Sequence, residues 1–136
     1  MVETTLTKAN LANEPAFGPW LSQASILVID DEPGMRNFLV KILKPRCRKV
    51  VEASNTQEAA LLLDAGHFDV VILDNIMPGQ NGVDWLREQR KVGFFADAIL
   101  ITAFADLETA IRALQAGAVD FVLKPFRSNQ ILNAVA

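Results

Sequence analysis

The chain predicts a doubly wound, parallel α/β sheet of five strands, and three observations carry that prediction. Short apolar or β-branched runs recur at 26–29, 49–51, 70–73, 99–101 and 119–123, as expected of strands buried on both faces. Helix-spaced segments lie between them, and such alternation with right-handed crossovers makes a parallel sheet. Four of the runs also stop on a polar residue. Ile29 meets Asp30 and Asp31, Leu73 meets Asp74, Ile101 meets Thr102, and Leu123 meets Lys124. In an open parallel sheet all carboxyl ends of the strands face one side, and ligands bind in the crevice there.

Taken in order, residues 1–23 contain Pro15, Gly18 and Pro19 and no clear periodicity. They read as an N-terminal extension or linker before a domain over 24–136, with Phe17, Trp20 and Leu21 as residues that could dock on it. The first strand ends at Asp30, and Pro33 suits the first turn of a helix that runs to Lys44, just before Pro45. After the second strand, Ser54 and Gln57 have capping-box spacing at the head of a helix that buries Ala59, Leu62 and Leu63 and stops near Gly66. The third strand, 69–74, leads into a loop with Pro78, Gly79 and Gly82, then a helix over 83–91. Asp106 is a suitable N-cap for the next helix, which ends at Gly117. Leu107, Ala110, Ile111 and Leu114 form its apolar stripe. Ser128 opens the last helix, which has only about two turns before Ala136. A helix that short is marginal, so the expectation is a truncated fifth helix in a parent protein that continues.

At 136 residues the chain is one domain's worth, and 51% hydrophobic residues exclude a disordered chain. No apolar run approaches the roughly 18 residues of a membrane span, and the start, with Glu3 and no apolar core segment, does not read as a signal peptide. Cys47 is the one cysteine, which rules out an internal disulfide and suits a reducing cytoplasm. Arg46 and Arg48 flank it and could lower its thiol pKa, although an incidental cysteine is the simpler reading. Net charge is −3, and the one small basic group is Lys41, Lys44, Arg46, Arg48 and Lys49. That pattern argues against direct nucleic-acid binding.

The strand-end residues have a joint chemistry. Three carboxylates brought together repel unless a cation compensates them or some take up protons. Mg²⁺, held through carboxylates with positions left for water and a phosphate oxygen, fits Asp30, Asp31 and Asp74. Asp74 is the better nucleophile, because the loop after it leaves room for a phosphodonor and a carboxylate attacking phosphorus gives an acyl phosphate. Lys124 and the cation would stabilise the transferring group, and Thr102 offers a hydroxyl to a phosphoryl oxygen. Each residue alone has a plainer reading. Asp30 and Asp31 could cap the following helix, Asp74 could serve a turn, Thr102 is an ordinary strand residue, Lys124 a solvated charge and Phe121 core. All of them at successive strand ends make a strong signal.

The segments ILVIDDEPGMR, VVILDNIMPGQNG, ILITAF and GAVDFVLKPF resemble those of bacterial response-regulator receiver domains, from about Ser25 to the end. The resemblance implies the flavodoxin-like strand order 2-1-3-4-5. It implies that Asp74 is the phosphoacceptor, served by the phosphohistidine of a sensor histidine kinase, with Thr102 and Lys124 as its catalytic partners. It assigns Mg²⁺, for which Mn²⁺ can substitute, to Asp31, Asp74, the backbone carbonyl of Ile76 and, through water, Asp30. It further implies a cis Lys124–Pro125 bond and a switch. Thr102 moves toward the phosphoryl group, Phe121 fills the space, and the surface of the fourth helix, fifth strand and last helix changes shape. That surface would control an output domain C-terminal to this chain and could also pair two copies as a homodimer. The stretch ITAFADLETAIRALQAGAVDFVLKPF is most like receivers of the nitrogen-regulation type, which precede a sigma-54-activating ATPase and a DNA-binding domain. Asn75 and the GFFAD loop at 93–97 are not family signatures, and Ile76 and Phe104 would flank the site and slow attack by water.

The reading is therefore a phosphoaccepting signalling module of the cytoplasm, neither a turnover enzyme nor a membrane protein. A haloacid-dehalogenase-like phosphatase would need a second acid two positions after its nucleophile. A flavin carrier would need a hydroxyl- and glycine-rich loop after the first strand, where Asp30, Asp31 and Glu32 stand. The remaining alternative is a pseudo-receiver that binds proteins without phosphorylation.

Overall fold

The computed structural model describes residues 18–77, 79–93, 96–102, 107–124 and 127–135. A short helix, α1 (Gly18–Gln23), precedes β1 (Ser25–Ile29), α2 (Pro33–Leu43), β2 (Lys49–Ala53), α3 (Thr56–Ala65) and β3 (Val70–Asp74). Then follow α4 (Gly82–Lys91), β4 (Asp97–Thr102), α5 (Leu107–Gln115), β5 (Ala118–Leu123) and α6 (Ser128–Val135). The five strands form one sheet in the order β2-β1-β3-β4-β5, every neighbouring pair parallel.

Strand alternation feeds two cores, one on each face. Leu27, Ile29, Val71, Leu73, Ala98 and Leu100 pack with Ala59 of α3, Val83, Trp85 and Leu86 of α4, and Ala113 of α5. Ile26, Val28, Val70, Ile72, Ile99 and Ile101 pack with Leu21 of α1, Leu39, Ile42 and Leu43 of α2, and Ile131, Leu132 and Val135 of α6. Burial on both faces is why these strands read as unbroken apolar runs. The edge strands differ: Lys49 and Glu52 on β2 and Val119, Asp120 and Leu123 on β5 are exposed.

Two local expectations need correction, and the structure adds detail to a third. The segment before β1 is helical at 18–23 and seats Leu21 in the core; the Ala24 N–H donates to the Leu21 carbonyl at 3.1 Å and closes the helix against the sheet. Phe17 and the Trp20 side chain lie outside the described residues. The cap of α3 is shifted by one residue from the expected Ser54 and Gln57. Asn55 is the N-cap, accepting from the Glu58 N–H at 2.7 Å, while the Glu58 carboxylate accepts from the Ser54 N–H at 2.6 Å. Glutamate reaches back where the shorter register would have needed glutamine, and its charge also suits the helix N-terminus. The stripe expected on α5 points the other way at the positions described. Ile111 and Leu114 are 44% and 57% exposed, and Ala113 meets the sheet instead. A small residue lets the helix approach the sheet closely, and its larger apolar neighbours are left outside. Asp106 and the Leu107 and Ala110 side chains lie outside the described residues.

Candidate functional site

Register brings the polar strand ends together. Ile29 pairs with Leu73, Asp74 with Ile101, and Thr102 with Leu123, so Asp30, Asp74, Thr102 and Lys124 fall at adjacent strand ends. Hydrogen bonds continue the ladder past the regular strands. The Asp30 N–H donates to the Ala53 carbonyl at 3.1 Å, the Asn75 N–H to the Ile101 carbonyl at 2.8 Å, and the Lys124 N–H to the Thr102 carbonyl at 2.9 Å. The candidate side chains are thereby mounted on sheet backbone, not on free loops.

Asp30, Asp31 and Asp74 each offer a carboxylate oxygen, and the three oxygens lie within 4.8 Å of one another. Asp30 and Asp74 are buried and Asp31 is exposed. The Lys124 ammonium lies 3.2 Å from Asp74 Oδ1. Asp30 Oδ1 accepts from the Glu32 N–H at 2.9 Å, whereas its Oδ2 is buried without a hydrogen-bond partner among the described residues. Buried carboxylate oxygens are rarely left in that condition. Burial pushes the Asp30 carboxyl up to about 6, against the Glu32 N–H, with the Asp74 charge adding to the rise. Burial also raises Asp74, outweighing the pull of Lys124 and of the Ile76 N–H that bonds its carboxylate. The group is short of positive charge. A hard cation that takes oxygen ligands fits this donor set, and the orphaned Asp30 oxygen is the observation that says so.

The plainer reading of the first two aspartates does not hold, because the N-cap of α2 is Glu32, which makes no side-chain cap bond. Arg36 braces that turn, donating to the Asp30 carbonyl at 2.8 Å and to Glu52 at 3.1 Å. Thr102 is fully buried at the end of β4. Phe121 on β5 is half-buried against the core of the α3–α5 face. Ile76 is half-exposed beside Asp74, while Phe104 and Pro125 lie outside the described residues. Cys47 is remote from the site in sequence and role; burial raises its thiol to about 11, outweighing Arg46, so the flanking arginines do not activate it.

Residue-type reasoning missed Asn75 and Asn81. The N–H groups of Gly82 and Val83 donate to the Asn75 carbonyl (2.8 Å) and to its side-chain oxygen (3.1 Å). The Asp84 N–H donates to the Asn81 side chain at 2.8 Å. Asn81 could have been found as an N-cap type before a helix. Asn75 could not, since its partner is eight residues away across a loop. Gly82 is required by close approach: a Cβ there would lie 2.7 Å from the Asp74 carbonyl oxygen.

Comparison with known proteins places this geometry. Residues 26–136 match the family described as the response regulator receiver domain. The regulatory protein AtoC of Escherichia coli is 37% identical over 106 residues, covering 78% of this chain and 23% of AtoC. The chemotaxis protein CheY of Bacillus subtilis is 34% identical over 111 residues, covering 81% of this chain and 92% of CheY. A receiver domain from Clostridium thermocellum superposes with a TM-score of 0.75 at 33% identity, over 82% of this chain and 90% of that one. The chain spans about a quarter of AtoC and half of the C4-dicarboxylate regulator DctR of Priestia megaterium.

Proposed function

The chain belongs to the response-regulator receiver family, and from that premise we propose that it is a switch whose Asp74 accepts a phosphoryl group from the phosphohistidine of a partner sensor kinase. The observation that carries the proposal is the pairing of buried Asp74 with partly exposed Lys124, set among three carboxylates at the sheet's carboxyl edge. An Asp74 carboxylate oxygen attacks phosphorus. The O–P bond forms as the P–N bond to the imidazole breaks, and the imidazole keeps the electron pair.

Asp31, Asp74 and the Ile76 carbonyl would hold Mg²⁺, with Asp30 acting through water. Bound there, the ion neutralises charge on the carboxylates and the incoming phosphoryl oxygens. The protein's own groups do the rest. Lys124 is already within ion-pair distance of the acceptor, so its ammonium can follow the charge from carboxylate to phosphoryl group. Thr102, at the next strand end, brings its hydroxyl to the same edge. β3, β4 and β5 hold these groups in place at no further ordering cost.

Phosphorylation adds about −1.5 to −2 charge at pH 7. Thr102 then turns toward the phosphoryl oxygens, and Phe121 moves from its half-buried position toward the space behind. The surface of α5, β5 and α6 is the readout, governing an output domain beyond this chain and able to pair two copies. Similarity to the regulatory protein AtoC and to the C4-dicarboxylate transport transcriptional regulatory protein DctD of Pseudomonas aeruginosa supports a transcriptional output, of the sigma-54 type by resemblance, in the cytoplasm. Among the described residues, no helix is long and apolar enough to cross a membrane.

The test is intact mass after incubation with acetyl phosphate, with and without Mg²⁺. A base-labile, Mg²⁺-dependent phosphate adduct is expected on the wild type and absent from Asp74→Asn. An equal adduct on Asp74→Asn, or none on the folded wild type given its kinase as well, overturns the assignment.

A further inference from the structure

We propose that Asn75 is a positioning residue whose side chain sets the loop between β3 and α4 for cation binding; this rests on the reading of Asp74 above. Asn75 closes that loop from both ends. Its N–H is held by the Ile101 carbonyl on β4, its carbonyl takes the Gly82 N–H, and its Oδ1 takes the Val83 N–H. Any residue can make the first two bonds. Only a side chain with an acceptor at this reach makes the third.

The consequence falls on the two peptide units that flank Ile76. The bond between Asn75 and Ile76 carries the N–H that reaches the Asp74 carboxylate, and Ile76 also supplies the carbonyl assigned to the cation. A rotation of Asn75 would turn both. The Oδ1 bond opposes that rotation by tying the side chain to the first turn of α4, which is itself anchored by buried Val83, Trp85 and Leu86. Gly82 lets α4 press against the Asp74–Asn75 backbone so that the bond can form. Partners of metal ligands, one step removed from the ion, typically cost 10- to 100-fold in affinity when lost.

The same helix supplies the control. Asn81 also satisfies one of the N–H groups that a helix N-terminus leaves open, but its side-chain bond goes to Asp84 within α4 and not to the Asp74–Ile76 backbone. If Asn75 were only a helix cap, losing either asparagine would have the same effect.

The experiment is calorimetric titration of Mg²⁺ alone into wild type, Asn75→Ala and Asn81→Ala, with amide exchange of the metal-free proteins. Asn75→Ala should bind Mg²⁺ about tenfold more weakly, and its Val83 amide should lose protection. Asn81→Ala should bind within about twofold of wild type, even though both variants lose similar stability. Asn75→Asp, which keeps the acceptor oxygen, should restore Val83 protection. Equal Mg²⁺ affinities for the two alanine variants overturn the inference, as does a wild type that binds no Mg²⁺. If Asn75→Ala does not fold, Asn75→Ser carries the same comparison and must bind more weakly than Asn81→Ala. Selective weakening in a protein that accepts no phosphate would keep the inference and remove the reading of Asp74.

Discussion

Helices α4 and α5 lie on the same face of the sheet, yet they are held differently. α4 buries Val83, Trp85 and Leu86, and two asparagine side chains cap its first turn. α5 sends Ala113 to the core and leaves Ile111 and Leu114 toward solvent. Among the described residues, its ion pair to α4 joins Arg112 to Asp84 at 3.1 Å, and Arg90 of α4 donates to the Gly117 carbonyl just past the end of α5 at 2.8 Å. The helix that follows Asp74 is anchored, and the helix that follows Thr102 is more lightly held. Elements that move in switching come from the less stable parts of a fold. On the proposed reading, the contrast gives α4 the part of holding the site and α5 that of reporting its state.

The largest test truncates one apolar side chain on each helix. Leu86→Ala should cost about 2–5 kcal/mol in urea unfolding, the usual range for a fully buried leucine. Leu114→Ala should stay within about 0.5 kcal/mol. Equal costs would mean that α5 is as firmly packed as α4 and would end the comparison.

A second test sharpens it by charge. The anchored end of the sheet also carries a liability, since burial raises Asp30 to about 6. Its protonated form is favoured on folding, so its stabilisation is complete below its ordinary value near 3.8 and is lost as pH rises through about 6. The loss is on the order of 3 kcal/mol. In chelator, the wild type should weaken from pH 4 to pH 7, and the raised Asp74 acts in the same direction. Asp30→Asn should flatten the slope, and Mg²⁺ should restore wild-type stability at pH 7. A slope unchanged in Asp30→Asn would remove Asp30 as its source.

A third prediction follows phosphorylation itself. With a phosphoryl mimic on Asp74, amides of α5 should exchange several-fold faster while those of α4 hold, and Phe121 should move to a more buried rotamer. A structure with Phe121 and α5 unchanged would refute the switch.

How much of this was legible in the sequence depended on the range of the interaction. The strands were readable because burial on both faces leaves an unbroken apolar run, as in Val70–Asp74, where every residue is buried. The site was readable because parallel register converts four strand ends into one edge. The orientation of α5 was not. Periodicity identifies an apolar stripe such as Ile111 and Leu114, but nothing local says whether the sheet or another surface covers it. The cap of α3 was misplaced by one residue because Ser54 and Asn55 are both capping types, and the choice fell to the reach of Glu58. The role of Asn75 depends on a loop closure over eight positions, which no short spacing encodes. Leu21 was a candidate to dock, but its place in the core depends on α2 and α6.

The smallest prediction concerns the ion pair itself. Arg112 and Asp84 are each nearly half-exposed, and Asp84 also lies 3.5 Å from Arg87. Exposed pairs contribute about 0.2–1 kcal/mol, so Arg112→Ala should barely move the urea midpoint. Local opening is more sensitive, because a contribution near 1 kcal/mol changes an equilibrium about fivefold. Amides of α5 should exchange up to about fivefold faster in Arg112→Ala, with α4 unaffected. Screening predicts that high salt removes most of the difference, since the Debye length falls to about 3 Å at 1 M. If α4 and α5 amides accelerate together, the two helices open as one unit, and the division between a holding helix and a reporting helix fails at the residue pair that joins them.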